Sequence, residues 1–365
     1  MAVHPPLPAT SVPSVLAERL PDGGVRCGVC AHRCLVRPGR HGICGVRENV
    51  DGVLVCHAYG AVAALGLDPI EKKPLFHVDP GSLSYSIATL GCPFHCRFCQ
   101  NWEIAQGPRL GLGVPTRPLR PEGVVAAARR AGARSVAYTY VEPTVFLEYA
   151  IDTAGLAREA GLRNVFITDG YATPEAIDLL APVLDAANVD LKAFDDRFYR
   201  RLCGARLAPV LEAIVAMRAA GTWLELTTLV IPGRNDSDAE LGALTAWIVA
   251  NLGPAVPWHV SRFFPAHRML DVPPTPTASL VRAAEIGRAA GLRYVYVGNA
   301  PGLGLEDTRC AGCDRVVIAR SGYRTRSHLT AEGACPACGR RLEGIGLGRT
   351  SAAGDRRGAP VELRR

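Results

Sequence analysis

At 365 residues the chain is long enough for two or three domains, or for one barrel with appendages. Hydrophobic residues make up 48% and charged residues 21%, the balance of a globular chain, which excludes a disordered or fibrous one. Lysine plus arginine exceeds aspartate plus glutamate by 41 to 34, a formal charge of +7; the excess is arginine spread along the chain, denser near the end, so nucleic-acid binding is not expected.

The start, MAVHPPLPATSVPS, lacks the charged-then-apolar pattern of an export signal, and no apolar run approaches a membrane span. Pro5, Pro6, Pro8 and Pro13 predict a disordered lead over residues 1–20. A cysteine-rich segment, 21–80, follows. Its Cys27-x2-Cys30-x3-Cys34 run, with Cys44 ten residues on, suits either zinc or an auxiliary iron–sulfur cluster; His32 and His41 are alternate ligands. Isolated Cys56 and Cys203 read as buried single thiols. Most of the 13 cysteines fall in tight clusters rather than scattered pairs, as for thiols kept for metals in a reducing cytoplasm.

Over 81–300, short apolar runs alternate with amphipathic stretches. Strands are expected at 85–90, 135–140, 164–168, 188–191, 223–231, 258–263 and 294–297, with helical patterns such as 121–132, 143–161, 208–221 and 237–253 between them. Strand–helix alternation predicts an α/β fold with a parallel sheet, a partial (β/α)6-type TIM barrel of six or seven units. Residues 301–348 form a separate module. There Cys310-x2-Cys313 and Cys335-x2-Cys338 predict a closed tetrathiolate, rubredoxin-like or zinc-ribbon, with structural zinc favoured over iron. A flexible tail, 349–365, ends the sequence.

The run GCPFHCRFCQN places Cys92, Cys96 and Cys99 just past the first expected barrel strand. Zinc loops usually come as paired Cys-x2-Cys halves, and this is a single triplet. A cubane iron–sulfur cluster wants four thiolates, so three leave one iron open to a small molecule. Polar groups recur at the later strand ends: Glu142 before Pro143, Asp169 in FITDGY, Asp190 and Lys192 in VDLKAFD, His259 and Arg262 in WHVSRFFP. Barrel enzymes assemble their sites from the ends of several strands. Each position alone would suit a cap or surface group; together they favour a binding site. Lys192 can pair a carboxylate, and Glu142 can accept from an amine or hydroxyl.

The triplet, with TLGCPF before it and Gln-Asn after it, resembles the signature of the radical S-adenosylmethionine superfamily. YTYVEPT, DLKAFDDRFYRRLCG, ELTTLVIPGRND, SRFFP and YVYVGNAPG look like the AmmeMemoRadiSam-system radical SAM enzymes, relatives of the pyruvate formate-lyase activating enzyme. The likeness runs from about residue 27 to 339. It implies a [4Fe–4S] cluster on Cys92, Cys96 and Cys99, with S-adenosylmethionine contacted by Glu142, Asp169, Lys192 and His259. It further implies a flavodoxin- or ferredoxin-type reductant, and a 5′-deoxyadenosyl radical that takes hydrogen from a protein glycyl residue or a small molecule. No catalytic side chain is assigned. Val141 and Asp169 depart from the family pattern, each standing where asparagine is expected. Two other classes remain as alternatives: an iron–sulfur electron-transfer protein, and a zinc-ribbon nucleic-acid-binding protein.

Overall fold

The computed structural model describes residues 10–348; residues 1–9 of the expected lead and the expected tail at 349–365 lie outside the described residues. An eight-stranded sheet forms the centre. Its strands are β1 (Ala64–Pro69), β2 (Leu83–Ala88), β3 (Ser135–Tyr138), β4 (Arg163–Thr168), β5 (Ala186–Asp190), β6 (Trp223–Val230), β7 (Trp258–Arg262) and β8 (Val295–Gly298). They lie side by side in chain order, β2 to β8 all parallel and β1 antiparallel to β2. β1 and β8 are the free edges, so the sheet is an arc and the barrel does not close by strand pairing.

The seven parallel strands fall on the seven expected runs, shifted by one or two residues. Apolar content on both faces explains their legibility: Ser135–Tyr138 is buried throughout, as a parallel strand covered by helices must be. Helices return the chain between strands. α1 (Trp102–Leu110), α2 (Pro121–Arg130), α3 (Leu147–Glu159) and α4 (Pro174–Leu180) precede α5 (Leu207–Ala219), α6 (Asp238–Leu252) and α7 (Thr277–Ala289). Pro121 opens α2, where its missing N–H costs nothing, and the Ser237 side chain accepts from Glu240 N to cap α6.

The expected disordered lead is corrected from residue 12 onward. Val12–Pro13 pairs antiparallel with Val53–Cys56, and Ala17–Arg19 pairs with Val25–Cys27. Pro13 is tolerated because its strand lies at a sheet edge, where no N–H donor is required. The segment before residue 81 also supplies β1, which the periodicity of the later repeats does not announce.

Residues 70–82, between β1 and β2, plug the floor of the barrel, where the parallel strands begin. Leu75 packs with Ala137, Val165 and Ala186. Asn188 Nδ2 donates to Pro74 O (2.7 Å), and the Glu225 carboxylate accepts from Phe76 N (2.9 Å) and His77 N (2.8 Å). The C-terminal module, with strands Thr308–Arg309, Val316–Ser321 and Arg324–Ser327, docks beneath this plug. Arg320 donates to Phe76 O (2.8 Å) with its guanidinium over the Phe76 ring, and Ile345 forms a parallel bridge with Val78.

Candidate functional site

Residues on or just past the C-terminal halves of the parallel strands line one cavity of about 310 Å³, with β6 and β7 contributing Thr227, Leu229 and Ser261 from within the strands. The cysteine loop follows β2. Gly91 turns it at φ +92°, and a Cβ there would lie 2.7 Å from Cys44 O, so the loop is pressed against the N-terminal segment. Its backbone is held from the other side by a π-helical turn, Tyr199–Cys203. His95 N donates to Cys203 O (2.7 Å) and Arg97 N to Leu202 O (2.9 Å). Tyr199 OH in turn accepts from Lys192 N (3.0 Å). The DLKAFDDRFYRRLCG motif is therefore a bracket for the loop, and π-bulges are frequent at functional sites.

Cys92 and Cys96 are buried and Cys99 is half-buried; all three line the cavity. Burial pushes the Cys92 thiol well up, and burial with the neighbouring Cys96 pushes Cys99 up to about 12. Cys96 is raised first by a hydrogen bond to Cys203, then by burial. Thiolates here want a cation, and a coordinating iron deprotonates a thiol outright. Among the described residues, the three sulfurs are not drawn within 4.8 Å of one another, as those around a single ion are. Spread sulfurs suit a multi-iron cluster, whose thiolates bind separate corners. The donor set fits.

Around the thiols stand the strand-end groups. Glu142 is buried at 1% exposure. Its carboxylate accepts from Thr168 Oγ1 (2.8 Å), Asp169 N (2.6 Å), Thr144 Oγ1 (2.9 Å) and Thr144 N (3.2 Å). Burial, then the Asp169 carboxylate, pushes it up to about 7 against those hydrogen bonds. Lys192 Nζ bridges Asp169 Oδ1 (2.8 Å) and Asp190 Oδ2 (2.7 Å). Burial works against its charge, but the two carboxylates outweigh it and hold the ammonium well above its ordinary value. Asp169, where the family pattern has asparagine, thus carries a charge that Lys192 balances. Val141 is buried in the cavity wall.

His259 is placed elsewhere. It projects from the same face of β7 as Ser261 but two residues nearer the floor, and it is not among the cavity-lining residues. Its Nε2 meets Glu225 Oε2 at 2.7 Å, below the cavity, and its ring packs edge-on against Phe76 of the plug.

Several lining residues escape a reading by strand ends. Lys72 and Lys73, from the segment after β1, reach the cavity, and both bond Asp68 at 2.7 Å. Tyr140 OH donates to the same carboxylate (2.7 Å), and the Lys73 ammonium lies 4.4 Å from the Tyr140 ring centroid. Burial lowers Lys73 to about 8. The charge-dense run DPIEKKP was the available signal.

Cys310, Cys313, Cys335 and Cys338 converge in the C-terminal module, with sulfur pairs 3.5 Å (Cys310–Cys338) and 3.7 Å (Cys313–Cys335) apart. A tetrahedral zinc with bonds of about 2.3 Å separates its sulfurs by about 3.8 Å, so one ion fits. Cys27, Cys30, Cys34 and Cys44 line a second, small cavity of about 20 Å³. No helix is long and apolar enough to cross a membrane.

The radical SAM superfamily pattern matches residues 86–243, from β2 through α6. The uncharacterized protein MJ0808 of Methanocaldococcus jannaschii is 42% identical over 328 residues, covering 89% of this chain and 97% of that protein. The isethionate sulfite-lyase activating enzyme of Nitratidesulfovibrio vulgaris is 33% identical over 99 residues, 26% of this chain and 32% of that enzyme. Among solved structures, SuiB of Streptococcus suis bound to S-adenosylmethionine aligns at 14% identity and a TM-score of 0.48, over 63% of this chain and 53% of that one. Enzymes of the matched superfamily use a [4Fe–4S] cluster and S-adenosylmethionine. The chain belongs to the radical SAM superfamily.

Proposed function

We propose that this protein is a radical SAM enzyme of the AmmeMemoRadiSam-system type, with Cys92, Cys96 and Cys99 as ligands of the [4Fe–4S] cluster. The observation that carries this reading is the opening of those three thiols into one cavity with the Lys192–Asp169 pair and buried Glu142. Cys92, Cys96 and Cys99 would hold a cluster that, when bound, would supply the single electron for reductive cleavage of S-adenosylmethionine and so the radical chemistry for hydrogen abstraction from a substrate.

The side chains have distinct tasks. An ammonium has three donors, and Asp169 and Asp190 take two of those on Lys192; the third serves the cofactor's carboxylate. Glu142 already accepts four internal hydrogen bonds, so it acts as a positioning residue that fixes Thr168 and the Asp169 backbone rather than as the amine's direct partner. His259 anchors the plug through Glu225.

The inner end of the cavity, with Lys72, Lys73 and Tyr140, favours a small polar substrate. A protein glycyl residue is the second reading, supported by the likeness to the isethionate sulfite-lyase activating enzyme. A low-potential flavodoxin- or ferredoxin-type reductant and a cytoplasmic setting complete the proposal.

Anaerobic reconstitution with iron and sulfide, followed by dithionite and S-adenosylmethionine, tests it. 5′-Deoxyadenosine and methionine should form, and Cys96→Ala should form neither. Absence of 5′-deoxyadenosine with a cluster demonstrably on Cys92, Cys96 and Cys99 would sink the reading.

A further inference from the structure

Two of the three cysteine groups hold their sulfurs in different ways, and the difference is chemical. The four of the C-terminal module crowd within 4.8 Å of one another. Cys27, Cys30, Cys34 and Cys44 line a small pocket instead. Among the described residues, no three of their sulfurs lie mutually within 4.8 Å, although all four line the same cavity of about 20 Å³. A single tetrahedral ion would require sulfurs about 3.8 Å apart. Four thiols standing back from a common centre are the arrangement for a cubane, which binds one thiolate per iron.

The wall of this cavity is prepared for an anionic sulfur group. Arg47 lines it at 2% exposure. Its two terminal nitrogens are engaged by Glu148 and Ser14, while Nε is buried with no hydrogen-bond partner. The Ile43 N–H also donates to Cys34 Sγ (3.5 Å). An orphaned buried N–H is costly unless something accepts from it, and a thiolate-bound cluster with net negative charge would.

We propose that Cys27, Cys30, Cys34 and Cys44 hold a second, closed [4Fe–4S] cluster. All four irons are then thiolate-bound, so no position remains for a substrate or for S-adenosylmethionine. Its place suits electron transfer. Cys30 and Cys34 are half-buried, so this group reaches the surface of the molecule. Cys44 O abuts Gly91, the residue before Cys92, and His32 Nε2 bonds Pro93 O (3.0 Å) inside the Cys92–Cys99 loop. One electron enters this cluster from the low-potential flavodoxin- or ferredoxin-type reductant and leaves it for the cluster on Cys92, Cys96 and Cys99; no bond is made or broken. The relay, though not the site, rests on the function proposed above.

Metal and sulfide analysis with electron paramagnetic resonance on the reconstituted full-length chain decides the matter. The expected wild-type protein carries about eight irons and eight sulfides per chain, the content of two cubanes. Dithionite should then produce two signals, of which S-adenosylmethionine shifts one. The combined variant Cys92→Ala, Cys96→Ala, Cys99→Ala should keep about four irons and only the unshifted signal. Wild-type protein with about four irons, with zinc or nothing on Cys27–Cys44, overturns the proposal even if no variant folds. A lost S-adenosylmethionine-sensitive signal with the other retained would instead overturn the function above.

Discussion

Glu142 shows how one buried carboxylate can organise a cavity wall through hydrogen bonds. Its two oxygens collect donors from Thr144, Thr168 and the Asp169 backbone in the dry interior. Glu142→Gln turns an amide NH2 toward some of those donors and should destabilise the fold by about 1–3 kcal/mol, measured by chemical denaturation. Lys192→Met should leave iron content unchanged while raising the KM for S-adenosylmethionine on the order of 10-fold to 100-fold, the loss of one charge-assisted hydrogen bond. Unchanged KM would remove Lys192 from the cofactor's contacts. Cys92, Cys96 and Cys99 are legible in sequence because their spacing lies within one loop. Lys73, Tyr140 and Asp68 are not, because 72 positions separate Tyr140 from the carboxylate it bonds. His259 illustrates the remaining failure: it is the second residue of β7, at the floor end, and an apolar run alone does not tell which layer of the barrel a side chain enters.

At the scale of elements, the cysteine loop has little freedom of its own. It is clamped between the N-terminal segment, through Gly91, and the π-helical turn at Tyr199–Cys203. Gly91→Ala combines positive φ with a backbone clash at Cys44 and should cost about 2–4 kcal/mol, with reduced iron incorporation as the second readout. Normal cluster content in that variant would show that the clamp is dispensable. Cys338→Ala should behave differently: release of the metal held by that module and a lower Tm, with 5′-deoxyadenosine formation retained below that temperature. The alternation of strands and helices exposed this sheet in the sequence, since each parallel strand is a short apolar run buried on both faces. β1 stayed hidden because it is antiparallel and belongs to a segment whose cysteines dominate its composition.

Across the whole molecule, the barrel floor is tied together by a chain of hydrogen bonds ending on His77. Glu343 O can only accept, so His77 Nδ1 carries the proton (2.6 Å) and neutral Nε2 accepts from Tyr296 OH (2.6 Å). Tyr296 OH contacts Thr308 Oγ1 (2.8 Å), to which Arg320 donates (2.7 Å). Burial lowers His77 to about 4, opposed by the nearby Glu225 charge. Between the ordinary histidine value near 6.5 and about 4, the unfolded chain binds a proton that the folded chain refuses. Stability from this group is therefore complete above about pH 6.5 and is lost as the pH falls toward 4, a contribution of about 3 kcal/mol. Thermal melts from pH 7 to 4 should show the decline, and His77→Gln should flatten that part of the profile while lowering Tm throughout. An unaltered slope in the variant would assign the acid sensitivity to other groups.

The same floor imposes an order on biosynthesis. Ile345 N donates to His77 O (2.8 Å) and Asp79 N to Ile345 O (2.9 Å), so the plug is not locked until residues near 345 have left the ribosome. The three thiols of the Cys92–Cys99 loop are synthesised about 250 residues earlier, the bracket at Tyr199–Cys203 about 140 earlier, and the last strand, β8, about 50 earlier. A nascent chain thus carries its complete cysteine loop before the C-terminal module can fasten the plug from beneath, and translation itself separates the period in which metal can be delivered from the moment the floor is locked.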